Sequence, residues 1–223
     1  MPLTTQDFPG RLACVVFIQG CPWRCCYCHN PHLQHRGTVS DGMTWADVLS
    51  FLSRREGLLD GVVFSGGEPL VDPALWEAIK DVRWLGFQVG LHTAGCFPDR
   101  LIPLLDDIDW IGLDVKTEPA YYDDLTKAHR SADAVFKSLN LILARGDIAL
   151  ECRVTIAPAW LPEERLLALA ERLHALGVQR FVLQPFRPLS SETSHAGLIC
   201  GDGYPSEATQ QRLSALFSEF FIR

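Results

Sequence analysis

The feature that most constrains the fold of this chain is a regular alternation between short apolar runs and longer amphipathic segments. The apolar runs are rich in Val, Ile, Leu and Phe and mostly lack polar alternation, which is typical of strands covered on both faces. They lie at Cys14–Gln19, Val62–Ser65, Gln88–His92, Trp110–Val115, Ala149–Ile156 and Arg180–Gln184. The helical segments that follow them lie at Thr44–Leu59, Ala74–Trp84, Arg100–Leu105, Ser131–Arg145, Glu163–Leu176 and Glu207–Phe221.

Six successive strand–helix units predict a single α/β domain over residues 1–223, built on one parallel sheet. Right-handed crossovers between the strands would curl such a sheet into an open, partial barrel. A flat doubly wound sheet has the same pattern, and composition does not separate the two architectures. A length of 223 residues suits one domain whose core needs neither a disulfide nor a metal.

Charge and composition disfavour several functional classes. The net charge of −7 disfavours general binding to nucleic acid or to an acidic membrane surface. The first residues do not resemble a signal peptide, and no apolar run has the length that spans a bilayer, so we expect a cytoplasmic protein. In that compartment the eight cysteines should be reduced thiols or metal ligands.

Half of the cysteines lie directly after the first predicted strand, in the sequence Cys21-Pro-Trp-Arg-Cys25-Cys26-Tyr-Cys28. Three cysteines separated by three and then two residues supply one ligand fewer than structural zinc sites and ordinary iron–sulfur clusters use. The spacing therefore predicts a cluster on Cys21, Cys25 and Cys28 with one iron left open for a small molecule. The alternative is a zinc site, with the fourth ligand supplied by His29, His32 or His35.

Polar residues also follow the other predicted strands, at the edge where ligands bind in barrels and open α/β sheets. These residues are Ser65-Gly66-Gly67-Glu68-Pro69, His92-Thr93-Ala94-Gly95, Asp114-Val115-Lys116, Arg153 with Thr155, and Gln184-Pro185-Phe186-Arg187. Taken singly, such motifs have ordinary explanations as turns or surface ion pairs. Because the ends of parallel strands meet at one edge, we expect these groups to converge around the cysteine loop.

The side chains at this edge suit an amino acid joined to an adenosine. Gly66 and Gly67 leave backbone groups open to close approach. Glu68 suits an ammonium, while Lys116 or Arg153 suits a carboxylate. The tyrosine inside the cysteine loop offers a flat face for a purine. The sequence therefore predicts a ligand of this class beside the open iron.

With these motifs the sequence resembles the radical S-adenosylmethionine superfamily, in which three cysteines at this spacing have an aromatic residue, here Tyr27, before the last. Within it the chain is similar to the glycyl-radical-enzyme activases, above all to the family that activates anaerobic ribonucleoside-triphosphate reductase. The motifs that carry this likeness are Asp7-Phe8-Pro9-Gly10, Gln19-Gly20-Cys21, Cys28-His29-Asn30-Pro31, Leu113-Asp114-Val115-Lys116 and Leu183-Gln184-Pro185-Phe186.

The resemblance implies a partial (β/α)6 barrel with one 4Fe–4S cluster on the three cysteines. S-adenosylmethionine would chelate the fourth iron through its amino and carboxylate groups. The resemblance implies that it is bound by Tyr27, Gly66, Gly67, Glu68, Thr93, Asp114, Lys116, Arg153 and Gln184. Reductive cleavage to methionine and a 5′-deoxyadenosyl radical would then remove a hydrogen from a glycine of the partner enzyme. No side chain needs to act as an acid or base.

The electron would come from an outside donor such as a flavodoxin or ferredoxin. These donors are usually acidic, so docking requires a local basic patch, which we expect around Arg24 and Arg36. The long segment Leu189–Pro205, rich in Gly and Ser, follows the sixth predicted strand. We expect it near the mouth of the site, where it would contact the partner enzyme.

Two positions depart from the related activases. His92 stands where many of them have an aspartate that helps to bind a monovalent cation, and Arg187 stands where some pyruvate formate-lyase activases have a histidine. Three alternatives remain open at this point. They are activation of another glycyl radical enzyme, radical chemistry on a small molecule, and a zinc-stabilised interaction module.

Overall fold

The computed structural model describes residues 2–37, 43–187 and 203–223. Residues 189–202 of the segment expected at the site mouth therefore lie outside the described residues. Eight strands form one sheet in which each strand neighbours the next along the chain. The strands are β1 (Leu3–Thr4), β2 (Ala13–Ile18), β3 (Gly61–Gly66), β4 (Gln88–Thr93), β5 (Trp110–Asp114), β6 (Ala149–Ile156), β7 (Arg180–Pro185) and β8 (Glu219–Ile222).

The six predicted strands correspond to β2–β7, and every neighbouring pair among them is parallel. The sheet does not close, because β1 and β8 lie at its two opposite edges. These findings confirm the predicted open α/β architecture. The register sets Asp114 beside Arg153 and Thr155 beside Gln184, so predicted site residues on neighbouring strands are adjacent at one edge.

Seven α-helices connect the strands in the described part of the chain. They are α1 (Trp45–Ser53), α2 (Leu75–Trp84), α3 (Pro98–Leu101), α4 (Tyr122–Thr126), α5 (Ser131–Leu143), α6 (Glu163–Leu176) and α7 (Glu207–Leu216). Local sequence explains several of their ends. Thr44 and Asp47 form a capping box at the start of α1, and Gly177, at φ +103°, ends α6 in the left-handed conformation.

The predicted C-terminal helix Glu207–Phe221 is too long. Helix α7 ends at Leu216, and Phe217 turns the backbone to an extended conformation that leads into β8. Strand β8 then pairs in parallel with β7. The physical reason is aromatic packing, since Phe217 and Phe220 both stack on Phe181 of β7, with ring centroids 4.5 and 6.3 Å apart. Strand β1 and the short helix α4 were not predicted.

The two faces of the sheet are covered very differently. The main hydrophobic core joins one face to the helices, with Val62, Leu91 and Leu139 all fully buried. The opposite face carries a much smaller cluster formed by Phe8, Ala13, Val15, Val63 and Trp110. The ring of Phe8 stacks on that of Trp110 at 5.7 Å, so the N-terminal segment covers part of this face. Much of the remaining surface on this face is polar and is available for a site.

Among the described residues, no helix combines the length and the apolar character that crossing a bilayer requires.

Replacement of Leu139 tests the packing of α5. Leu139→Ala should lower the free energy of unfolding by about 3 kcal/mol, because it removes a fully buried side chain from the main core. Lys137→Ala, on the exposed side of the same helix, should cost under about 0.5 kcal/mol, although it removes a surface ion pair with Asp99. Urea unfolding measures both, and equal costs would contradict this placement of α5.

Candidate functional site

A cavity of about 290 Å³ lies at the carboxyl ends of the parallel strands. The three predicted cluster ligands all line it. So do all but one of the residues predicted to bind the cofactor, the exception being Glu68. The lining set is Cys21, Cys25, Cys28, Tyr27, Gly66, Gly67, Thr93, Asp114, Lys116, Arg153 and Gln184, together with further residues that include Asp7, His29, Asn30, Ser65 and His92. The structure therefore brings together groups that are up to 177 positions apart, from Asp7 to Gln184.

Backbone hydrogen bonds fix the start of the cysteine loop. The amide of Gly20 donates to the carbonyl of Leu33 at 2.8 Å, and that of Cys21 donates to Gln34 at 3.1 Å. Further along, the amide of Cys28 donates to the carbonyl of Cys25 at 3.2 Å and closes a turn. The loop is thus anchored by its own following segment before any ligand is bound.

Arg24 and helix α4 brace the middle of the loop. The guanidinium Nη1 of Arg24 donates to the carbonyls of Cys21 and Trp23, at 2.7 and 2.8 Å. The amide of Arg24 donates to the carbonyl of Thr126, the last residue of α4, at 2.8 Å. The Trp23 ring also meets Tyr122 of α4 edge-on, with centroids 6.3 Å apart. Helix α4, which sequence reasoning missed, therefore supports the predicted cluster site.

Two glycines at the end of β3 allow this loop to pack against the sheet. A Cβ on Gly66 would lie 2.2 Å from the carbonyl oxygen of Ile18, and a Cβ on Gly67 would lie 2.4 Å from that of Gly20. Gly66 also has φ +123°, a conformation that favours glycine. The amide of Gly67 donates to Ile18 at 2.9 Å. These two glycines allow β3 and the cysteine loop to pack closely together, and they also line the cavity.

Glu68 lies behind the cavity rather than in its lining. Its side chain is fully buried and accepts three hydrogen bonds. The donors are the hydroxyl of Thr93 at 2.8 Å and the amides of Leu70 and Ala94 at 3.0 and 2.8 Å. Burial raises the pKa of Glu68, and the three donors oppose that rise by stabilising the carboxylate. The carboxylate therefore ties the ends of β3 and β4 together, and its predicted contact with an ammonium remains a prediction.

Asp114 and Arg153 form an ion pair across β5 and β6. Nε of Arg153 donates to Oδ1 of Asp114 at 2.9 Å, and Nη2 lies 2.8 Å from the same oxygen. Burial would raise the pKa of Asp114, but the charges of Arg153 and Lys116 outweigh burial and hold that pKa below its ordinary value. The Lys116 ammonium lies 5.6 Å from the centre of the Tyr27 ring. No carboxylate in the described part of the chain forms an ion pair with it.

His92 is a neutral, fully hydrogen-bonded side chain in the cavity wall. Its Nε2 faces the backbone carbonyl of Asp7 at 3.0 Å, so this nitrogen carries the proton. Its Nδ1 then accepts from the hydroxyl of Ser65 at 3.2 Å. Burial, followed by the charge of Arg153, lowers the pKa of His92 to about 3. The imidazole therefore stays uncharged at neutral pH and joins β3, β4 and the N-terminal segment.

Four aromatic side chains form a continuous stack behind the cavity, and two of them, Tyr27 and His29, line it. Tyr27 stacks on Trp160 at 4.6 Å, Trp160 meets Phe186 edge-on at 5.3 Å, and Phe186 stacks on His29 at 5.5 Å. The Tyr27 hydroxyl and Nε2 of His29 are buried with no hydrogen-bond partner among the described residues. Both side chains line the cavity, so a ligand bound there would supply the partners that buried polar groups normally have. Trp160 was not identified from the sequence, which gives no motif for it.

The family model for the radical SAM superfamily matches residues 15–157 of this chain. The chain belongs to the radical SAM superfamily. This superfamily uses a 4Fe–4S cluster and S-adenosylmethionine, which confirms the predicted cofactors. The donor set fits this assignment, since three soft thiol ligands face one cavity together with the two unpaired polar atoms of its aromatic wall.

The most similar curated proteins include activating enzymes. A protein of Methanocaldococcus jannaschii, provisionally named as a glycyl-radical enzyme activating enzyme, is 28% identical over 83% of this chain and 78% of its own length. The pyruvate formate-lyase 1-activating enzyme of Escherichia coli is 25% identical and covers 97% of this chain and 92% of its own length.

Solved structures show the same fold at low identity. SuiB of Streptococcus suis bound to S-adenosylmethionine has a TM-score of 0.68 and 13% identity over 95% of this chain. The enzyme anSMEcpe bound to AdoMet and a peptide has a TM-score of 0.70 and 12% identity over 93% of this chain. This chain spans 47% of SuiB and 62% of anSMEcpe, so these likenesses cover only part of the larger enzymes.

The remaining cysteines of the site region differ in environment. Cys26 is exposed between two predicted ligands. Cys96 is partly buried, and burial followed by the charge of Glu68 raises the pKa of its thiol. Burial likewise raises the pKa of Cys21 to about 11, so this thiol is protonated at neutral pH and would have to lose its proton to hold iron. Within the described ranges, no group of three or more His, Cys, Asp or Glu side chains is arranged so that it could hold one metal ion.

A comparison of two glycines tests the packing of the cysteine loop. Gly66→Ala should prevent stable folding or cluster incorporation, because its Cβ would collide with Ile18. Gly57→Ala is the matched control. Gly57 also has a positive φ, of +74°, but nothing lies within 4 Å of its Cβ position, so this change should cost only about 1 kcal/mol. Urea unfolding and iron content after anaerobic reconstitution measure both, and similar behaviour of the two variants would contradict the close approach.

The pH dependence of unfolding tests the environment of His92. The unfolded chain takes up a proton on this histidine below about pH 6.5, whereas the folded chain resists protonation down to about pH 3. The contribution of this neutral imidazole to the free energy of unfolding is therefore fully present above pH 6.5. It is lost as the pH falls below 6.5, by up to about 1.4 kcal/mol per pH unit. His92→Gln should flatten this dependence between pH 6.5 and 4. His129→Gln, at an exposed histidine, should leave it unchanged. Parallel curves for the wild type and His92→Gln would refute the assignment.

Proposed function

We propose that this chain is an activase that generates a glycyl radical on a partner enzyme. The observation that carries the proposal is the convergence of the three cysteines with the strand-end polar groups in one cavity. Curated activating enzymes that match this chain over most of both lengths support the same reaction. In this reaction the bound cofactors supply reductive cleavage of S-adenosylmethionine to methionine and a 5′-deoxyadenosyl radical, which removes a Cα hydrogen from the partner's glycine.

The residues of the chain hold and orient these groups. Cys21, Cys25 and Cys28 would hold the cluster, and the backbone hydrogen bonds that anchor their loop would keep the three thiols in place. The Lys116 ammonium is available to pair with the methionine carboxylate, because Arg153 is already engaged by Asp114. The aromatic side chains around Tyr27 exclude water from the adenosine. The unpaired hydroxyl of Tyr27 offers the nucleoside a hydrogen bond.

A second basin gives the partner's glycine a route to the cavity. It has a volume of about 350 Å³ and shares Asp7, Arg153 and Gln184 with the cavity. Arg187 and Arg223 line its outer part. We propose that a loop of the partner enzyme enters here, which would bring its glycine next to the residues that the basin shares with the cavity.

We further propose that the partner is an anaerobic ribonucleoside-triphosphate reductase. The sequence motifs that flank the cavity, such as Leu183-Gln184-Pro185-Phe186, resemble the activases of that enzyme. Arg187 weighs against pyruvate formate-lyase as the partner, because some activases of that enzyme have a histidine at this position. The electron donor is proposed to be a flavodoxin or ferredoxin.

Anaerobic reconstitution tests the proposed reaction. The protein should bind iron and sulfide, and with dithionite it should form 5′-deoxyadenosine and methionine from S-adenosylmethionine. Cys21→Ala should abolish cluster binding and cleavage. Cys26→Ala, in the same loop but exposed, should retain both. Zinc in place of iron, or a full cluster without cleavage, would refute the proposal.

The partner is tested separately by electron paramagnetic resonance. Incubation with an anaerobic ribonucleoside-triphosphate reductase should give a glycyl radical signal, and pyruvate formate-lyase in the same assay should give none. A glycyl radical signal on pyruvate formate-lyase but not on the reductase would show that pyruvate formate-lyase is the partner instead. Cleavage without a signal on either protein would favour a small-molecule substrate.

A further inference from the structure

The second half of the cysteine loop lacks the backbone anchors that hold its first half. Gly20 and Arg24 both donate backbone hydrogen bonds to other segments of the chain. For residues 25–29, the backbone hydrogen bond found in the described part of the chain stays within the loop, from the Cys28 amide to the Cys25 carbonyl. The position of Cys28, the last predicted cluster ligand, therefore depends on side-chain contacts.

Both sequence neighbours of Cys28 carry rings that stack on aromatic side chains outside the loop. Tyr27 stacks on Trp160, with the ring centroids 4.6 Å apart and the ring planes inclined by 18°. His29 stacks on Phe186, with the centroids 5.5 Å apart and the planes inclined by 14°. Cys28 is thus flanked in the sequence by two stacked pairs.

The two outer rings are themselves fixed at the ends of the strands. Trp160 follows β6 and Phe186 follows β7, and their rings meet edge-on with centroids 5.3 Å apart. Nε1 of Trp160 donates to the carbonyl of Thr155 at 3.1 Å. The amide of Phe186 donates to the carbonyl of Ile156 at 3.0 Å. Because Thr155 and Ile156 end β6, the loop rings rest on a pair of rings that is tied to the sheet.

The ring contacts are the main restraint on this half of the loop. Tyr27 is 4%, Phe186 5% and Trp160 8% exposed, so the contacts are shielded from water. Aromatic pairs prefer particular relative orientations, so they restrict how a ring is turned as well as where it lies. The next hydrogen bond along the chain, from the side-chain amide of Asn30 to the carbonyl of Gly66, is long at 3.5 Å.

We propose that Trp160 and Phe186 are positioning residues for Cys28, the third predicted ligand of the 4Fe–4S cluster. They act through Tyr27 and His29 rather than by contact with iron. Residues that orient metal ligands from behind strongly affect metal affinity, although they bind no metal themselves. This role requires only the cluster that the superfamily uses, so it is independent of the partner enzyme and of the proposed activation reaction.

The rate at which bathophenanthroline removes iron from the anaerobically reconstituted protein tests this role without measuring activity. Trp160→Leu keeps an apolar side chain but removes the stacked ring, and it should speed iron release about ten-fold, as is usual for residues that orient metal ligands. Trp160→Phe restores an aromatic face and should return the rate close to that of the wild type. Phe186→Leu removes the ring that stacks on His29 and should also speed release.

Phe217→Leu is the matched control. Phe217 is likewise buried and stacked, at 4.5 Å on Phe181, but it lies beside the edge strand β8. The substitution should lower the free energy of unfolding, measured in urea, without changing the rate of iron release. The control therefore separates a general loss of stability from a loss of ligand positioning.

Three results would overturn the positioning role. The first is a wild-type rate of iron release in both Trp160→Leu and Phe186→Leu, and Phe186→Leu alone decides if Trp160→Leu does not fold. The second is release as fast in Trp160→Phe as in Trp160→Leu, because ring stacking would then not hold the loop. The third is equally fast release in Phe217→Leu, which would assign the effect to general loosening. Glycyl radical formation is not measured here, so a failure of the proposed activation reaction is observed separately.

Discussion

One buried carboxylate holds together the parts of this molecule that form the site. Glu68 accepts hydrogen bonds from Thr93, Ala94 and Leu70, while its own amide donates to the carbonyl of Gly20 at 2.8 Å. The end of β3 is thereby tied both to β4 and to the start of the cysteine loop. Burying a charge is costly unless its lone pairs are satisfied, and here the surrounding donors satisfy them. The position of Cys21, the first predicted cluster ligand, relative to the sheet depends on this junction.

Sequence reasoning identified the six central strands and most of the cavity lining because both follow from simple physical rules. Parallel strands covered on both faces carry continuous apolar runs, and β2–β7 lie close to the runs that were predicted. Parallel strands also end at the same edge of their sheet. Residues as distant as Cys28, Asp114 and Gln184 could therefore be assigned to one site before any contact between them was known.

The features that were missed depend on packing between distant segments. Strand β8 is stabilised by aromatic stacking on Phe181, and its four residues directly follow a helical segment, which hid them from a reading of the sequence alone. Helix α4 has only five residues, too few for helical periodicity to be read, yet it braces the cysteine loop. The hydrogen bonds by which Thr93, Ala94 and Leu70 satisfy the Glu68 carboxylate were not predicted either, while its contact with the ligand stays a prediction. No local motif encodes such choices, since they depend on which groups are brought near by the finished fold.

The unpaired charge of the cavity connects the fold with the proposed chemistry. Asp114 neutralises Arg153, whereas Lys116 forms no ion pair in the described part of the chain. Under the proposed function, Lys116 would pair with an anionic group of the cofactor. Because the net charge around an iron–sulfur cluster sets its potential, this ammonium, whose charge acts on the thiol of the predicted ligand Cys25, would also favour a reduced cluster. The overall acidity of the chain, with a net charge of −7, opposes that local effect.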